Sequence, residues 1–319
     1  MLWWPTCSNI YRKILMAEPR PILFDESTRR KLEQLMLVAA KVRSGAIKGE
    51  RRSNKRGTSI EFADYRNYTP GDDLRRVDWN VYARLERPLT KMFEDEEDLA
   101  VYILLDTSAS MDWGGQIEGV ADAPELNKFD YMRRLAAGMA YISLSTNDRL
   151  LMSELGKKSV FGPARGRGYG PRLLTYINQL QADGRVGLNQ AMKDMAVQIR
   201  RGGLCILLSD LFSPDGYIEG INALASKGCE IVVIQLLSPD EISPSMVGDL
   251  RFLDSETGEA QEVSLDPAMR DLYHKRVNEW RDEIRRELQK RGAHFLSVST
   301  EQPWEKVILQ DLRRLGVLL

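Results

Sequence analysis

From residue 99 onward the chain alternates short, almost unbroken apolar runs with longer stretches in which apolar residues recur every three or four positions. An unbroken run suits a strand buried on both faces. The second spacing puts apolar side chains on one face of a helix. Runs at 100–105, 204–208, 230–236 and 295–298 predict buried strands, and 149–154 and 159–161 predict two shorter ones. Asn127 is placed to cap a helix running past Ile142, and 173–180, 188–199, 217–225 and 304–315 read as further helices. The longest helix is expected over 266–292, with Asp266 as its cap, Pro267 at its first position and Gly292 at its end. Its apolar stripe is Met269, Leu272, Tyr273, Val277, Trp280, Ile284 and Leu288, a pattern that normally faces a core. This alternation gives an α/β fold class: a doubly wound, mostly parallel, Rossmann-like sheet with helices on both faces.

The amino-terminal part is patterned differently. Residues 25–45 read as a helix capped by Asp25, with Leu32, Leu35, Met36 and Leu37 on its apolar side. Ile60, Phe62 and Asp64 alternate as in a short strand, residues 69–72 form a Pro-Gly turn, and alternation resumes near 83–93. Residues 94–98 are an acidic run that reads as a solvated turn. Further on, 249–254 and 260–263 flank Glu256-Thr257-Gly258-Glu259, a hairpin signal. The expected organisation is a poorly ordered tail at 1–24, a small helix-plus-strand segment at 25–95 packed on the main domain, and that domain at 96–319.

Composition narrows the function classes. The 319 residues carry a net charge of -1, which gives no general drive toward nucleic acid or acidic membranes. The basic stretch Lys48, Arg51, Arg52, Lys55 and Arg56 has no interleaved aromatics for base stacking and reads as a solvated loop. Cys7, Cys205 and Cys229 form no CxxC pair, which fits a reducing, cytoplasmic location. The two histidines, His274 and His294, sit in no zinc or Ser-His-Asp motif. The Gly- and Arg-rich stretch 162–170 lacks the GK[ST] ending of a phosphate cradle and reads as a flexible loop. No apolar run approaches the roughly 18 residues of a spanning helix. Residues 1–15 lack the features of a signal peptide, and Met16 is the expected natural start.

The sharpest chemical signal is Asp106-Thr107-Ser108-Ala109-Ser110, which follows the apolar run ending at Leu105. A second apolar run ends in Asp210. Ligand sites of open α/β sheets lie at the carboxyl ends of their strands, and hard cations such as magnesium take oxygen ligands. Asp106, Ser108, Ser110 and Asp210 are therefore the candidate ligands of one Mg or Mn ion. An open position would remain for an acidic side chain of a partner. The alternative is an Asp and a Ser capping the next turn.

The strand-plus-DxSxS pattern resembles the metal-ion-dependent adhesion site of von Willebrand factor A domains. The stretch 57–111 further resembles the domain-of-unknown-function 58 proteins, which carry a von Willebrand factor A-like domain. The matching residues are Glu61-Phe62, Asp64-Tyr65-Arg66, Tyr68, Pro70-Gly71-Asp72-Asp73, Arg75, Asp78-Trp79, Ala83-Arg84 and Asp106-x-Ser108-x-Ser110-Met111. The resemblance implies a non-enzymatic adaptor acting with a MoxR-type AAA+ ATPase in assembling proteins or metal centres. Many such proteins carry amino-terminal membrane helices, a pattern not found in this sequence. One departure concerns the adhesion site, which normally draws a threonine from a later loop. Here Val186, in Gly184-Arg185-Val186-Gly187-Leu188, stands in that place and offers no ligand oxygen.

A second candidate site is the charged and aromatic cluster of Arg66, Tyr68, Asp72, Asp73, Arg75, Asp78 and Trp79, read as a partner-docking surface or as a salt-bridge network. Two other functions fit the strand-end aspartates. One is a metal-dependent phosphohydrolase, although a haloacid-dehalogenase-like enzyme would need an Asp at Ser108. The other is a structural scaffold whose cation site has decayed.

Overall fold

A computed structural model describes residues 26–39, 62–69, 74–93, 99–114, 127–244, 248–253 and 260–319. Along the chain these form α1 (Glu26–Leu32), β1 (Phe62–Asn67), α2 (Trp79–Leu85), β2 (Leu89–Phe93), β3 (Ala100–Leu105), α3 (Lys128–Ser145), β4 (Arg149–Glu154) and β5 (Val160–Ala164). They continue through α4 (Gly170–Gln179), α5 (Leu188–Gln198), β6 (Leu204–Ser209), α6 (Ile218–Ser226), β7 (Glu230–Leu237), α7 (Pro239–Ile242), β8 (Gly248–Leu253), β9 (Ala260–Leu265), α8 (Pro267–Lys290) and β10 (His294–Ser299). A helical stretch follows, Trp304–Lys306 and Leu312–Arg314 joined by a π-helical Val307–Asp311.

Six strands form one sheet in the order β10-β7-β6-β3-β4-β5. All neighbours are parallel except β5, which closes one edge antiparallel to β4. The side chains of β3 show how both faces are covered. Val101, Ile103 and Leu105 enter one apolar cluster with α3 and α4, whereas Ala100, Tyr102 and Leu104 enter another with α5, α6 and the carboxyl-terminal half of α8. Period-two alternation thus feeds two cores, and the mixed α/β sheet flanked by helices is as the sequence predicts.

The chain divides into two compact units, one comprising residues 1–47 and 99–319 and the other residues 48–98. In the larger unit the expected helix over 25–45 is much shorter among the described residues. It stops at Leu32 because the chain then turns extended: Leu37 bridges Leu318, and Val38 N–H bonds Val317 O at 2.8 Å. Leu35, Leu37 and Ala39 are buried by this pairing. The expected loop at 162–170 is also more ordered than its composition suggests. β5 runs to Ala164 through a cis Gly162–Pro163 bond, and a 3-10 turn at Arg167–Tyr169 leads into α4. Asn127 and Asp266 cap α3 and α8 as expected. The α8 stripe reaches the core only from Trp280 onward, however, with Trp280 half-buried against it. Ile284 and Leu288 are buried, whereas Met269 and Leu272 are exposed. The predicted β8–β9 hairpin is present. Among the described residues no helix is long and apolar enough to cross a membrane.

In the smaller unit β1 and β2 pair antiparallel. The alternation near 83–93 is a strand only in its second half, because Asp78 caps α2, which runs through Leu85. The expected tail at 1–24, Cys7, the basic stretch, Asp72, Asp73 and the acidic run 94–98 lie outside the described residues.

Candidate functional site

Strand order reverses between β3 and β6. The chain leaves β3 for β4 on one side and leaves β6 for β7 on the other. Such a switch point opens a crevice at the carboxyl ends of the strands. Leu105 pairs with Leu208 across these strands, and Asp106 N–H bonds Leu208 O at 3.0 Å. This register sets Asp106 beside Ser209 and brings Asp210 to the same end of the sheet. Asp106, Ser108 and Asp210 are all buried.

Asp106 folds its own loop around itself. Its Oδ1 accepts from Ser108 N–H at 3.1 Å and from the Ser108 hydroxyl at 2.7 Å, and its Oδ2 accepts from the Ser209 hydroxyl at 2.6 Å. The Ser108 and Ser110 hydroxyl oxygens lie 3.0 Å apart and share a hydrogen bond. Burial, and then the neighbouring Asp210 carboxylate, push Asp106 up to about 6, against the opposing pull of the Ser209 and Ser108 hydrogen bonds. Asp106 is thus a carboxylate held by neutral donors and short of positive charge.

Asp210 is held differently. Its Oδ1 accepts from Phe212 N–H at 3.0 Å, and its Oδ2 accepts from Lys128 Nζ at 2.8 Å. Lys128 is the first residue of α3 and is wholly buried. Its ammonium also donates to Glu241 Oε1 at 2.6 Å. Burial opposes the charge on Lys128, but Asp210 and Glu241 outweigh it and hold the ammonium above its ordinary pKa. Glu241 is fixed by a capping box with Ser238, whose N–H donates to Glu241 Oε2 at 2.8 Å. The Phe212 ring, stacked on Trp280, lies 5.6 Å from Lys128 Nζ.

The third loop also comes to this end of the sheet. Asp183 N–H bonds Thr107 O, and Ala109 N–H bonds Gly184 O, both at 3.0 Å. Val186, which the adhesion-site resemblance sets in the place of a threonine, is buried in an apolar cluster and lies over Gly156. An oxygen-only set of Asp106, Ser108 and Ser110 around an under-compensated carboxylate fits a hard divalent cation. Asp210 fits only if it gives up Lys128. Among the described residues no group of three or more His, Cys, Asp or Glu side chains could hold a metal ion.

Of the second predicted cluster, Arg66 lies on β1, Arg75 in a 3-10 turn at Leu74–Arg76, and Asp78 and Trp79 at the start of α2. Asp78 is a local organiser, accepting from Asn80 N–H and Val81 N–H through Oδ1 and from the Tyr65 hydroxyl through Oδ2. Tyr68 is tied by its backbone to Pro88 O. Arg75 and Trp79 are exposed, and Trp79 meets Tyr82 edge to face. Sequence reasoning missed Ser209, Lys128 and Glu241. The spacing Ser238-x-x-Glu241 is a legible cap signal, whereas nothing in the sequence marks Lys128 as buried.

A family model described as "Protein of unknown function DUF58" matches residues 64–283. The uncharacterized protein Rv1480 of Mycobacterium tuberculosis is 29% identical over 294 residues, covering 90% of each chain. The uncharacterized protein Mb1516 of Mycobacterium bovis gives the same figures. Among solved structures, the conserved hypothetical protein BatB from Bacteroides thetaiotaomicron aligns with a TM-score of 0.41 at 15% identity, over 68% of this chain and 98% of its own. An aerotolerance-related membrane protein from Bacteroides fragilis aligns with a TM-score of 0.40 at 16% identity, over 68% and 99%.

Proposed function

The chain belongs to the DUF58 family, and we propose that it is a non-enzymatic interaction module, an adaptor with a von Willebrand factor A-like core that captures an acidic side chain of a partner. One observation carries this reading: Asp106, Ser108 and Ser110 are gathered with Asp210 at the β3–β6 switch point. Mg or Mn, held by Asp106, Ser108 and Ser110 and reached by Asp210, would supply a Lewis-acidic centre with an open position for a carboxylate. The protein's own part is to orient the two hydroxyls through Asp106 and to keep that carboxylate away from bulk water. Its partner is proposed to be a MoxR-type AAA+ ATPase and its setting cytoplasmic. The exposed aromatic face of α2, with Trp79, Tyr82 and Leu85, is a candidate second contact.

The test is retention of a purified MoxR-type AAA+ ATPase on the immobilised chain, in magnesium and in chelator. Retention in magnesium that disappears in chelator and in Asp106→Ala supports cation-dependent capture. Equal retention in all three conditions would leave an adaptor that works without a cation. No retention in any of them sinks the partnership.

A further inference from the structure

Lys128 is an internal cation seated on a predicted ligand of an external one. Its Nζ is 2.8 Å from Asp210 Oδ2 and 2.6 Å from Glu241 Oε1, with side-chain exposures of 0%, 1% and 18% for Lys128, Asp210 and Glu241. We infer that Lys128 is a tethered competitor for the divalent cation, which gains Asp210 only when the Lys128 ammonium shifts its weight to Glu241. The inference rests on the cation reading above and names what regulates that site.

Three features support it. Two positive charges on one carboxylate repel strongly where water is scarce, so Asp210 Oδ2 cannot serve Lys128 and a metal equally. A buried ammonium left bare is costly, yet Glu241 already shares this one, so releasing Asp210 does not strand it. Glu241 is itself locked by the Ser238 capping box, which keeps the second acceptor in place during the exchange. Lys128 is therefore a positioning residue acting through Asp210.

The test is calorimetric titration of magnesium and manganese chlorides into the full chain, wild type, Lys128→Met and Glu241→Gln. The two substitutions are expected to act in opposite directions. Removing the competitor should tighten cation binding by at least about tenfold. Removing the charge of the fallback acceptor, whose amide oxygen still accepts, should tie Lys128 more firmly to Asp210 and weaken binding by about threefold to tenfold. Circular dichroism checks each fold. If Lys128→Met does not fold, Lys128→Met with Glu241→Gln takes its place and is expected to bind more tightly than Glu241→Gln alone. Asp106→Ala should abolish binding in every background. Equal affinity in all lysine and glutamate variants, or weaker binding in Lys128→Met, overturns the inference while leaving a cation site standing. Absence of heat with every protein overturns both the inference and the cation reading beneath it.

Discussion

Lys128 and Asp210 form a 2.8 Å ion pair in which neither side chain is more than 1% exposed. The pair ties the first turn of α3 to the end of β6, two elements far apart in sequence. It places a buried lysine against a carboxylate that sequence reasoning assigned to a metal.

Removing one partner of a buried pair leaves the other charge uncompensated. Lys128→Ala is therefore expected to destabilise the larger unit by about 3–5 kcal/mol. Urea denaturation at pH 7 measures it, and a loss below about 1 kcal/mol would mean that water reaches Asp210.

Asp106 predicts a pH dependence of definite sign. Its pKa is raised from an ordinary 3.8 to about 6, so its ionisation is harder in the folded chain than in the unfolded one. Well below 3.8 both states are protonated and nothing is lost. Destabilisation grows as pH rises through the interval and is complete above about 6, reaching at most about 3 kcal/mol. In chelator, Asp106→Asn should therefore gain on wild type as pH rises, with its advantage at pH 7.5 largely gone well below 3.8. A stabilisation independent of pH would contradict this account.

The Ser209 hydroxyl donates to Asp106 Oδ2 at 2.6 Å and accepts from Leu211 N–H at 2.9 Å. Ser209→Ala should cost about 1–3 kcal/mol. Because this bond favours the ionised carboxylate, it should also move the Asp106 titration further above about 6. Carboxyl-carbon NMR titration reads the second effect separately from the first.

Gly203 lies at the start of β6, where a Cβ would come within 2.1 Å of Ala100 O. Gly203→Ala must push β6 away from β3 and should cost about 3 kcal/mol or more. Thermal unfolding would show it, and loss of the Asp106–Ser209 hydrogen bond should accompany the shift.

Asp78 both caps α2 and accepts from Tyr65. Asp78→Ala should destabilise the smaller unit by about 1–2 kcal/mol. Trp79 fluorescence should report this, with little change in the unfolding of the larger unit.

The strands at 100–105 and 204–208 were legible because a parallel strand buried on both faces must be apolar throughout. Asp106, Ser108 and Ser110 were legible because their spacing is local. The end of α1 was not legible, since its apolar residues suit a helix equally well. Pairing of Leu37 with Leu318, 281 positions away, overrides the propensity. The α8 stripe misled for a related reason: an apolar periodicity states that a face could be buried, not that another element arrives to cover it.

The sequence by itself determined the α/β class, the boundaries of most strands and the oxygen-rich loop at the end of β3, because each depends on residues close along the chain. Only the tertiary structure decided what those oxygens face. It set Ser209 against Asp106 through the β3–β6 register, and it brought Lys128 onto Asp210 and Glu241 across separations of 82 and 113 residues. A lysine at a helix start is ordinarily solvated. Burial between two carboxylates turns it into a fixed charge, and no local pattern encodes that environment.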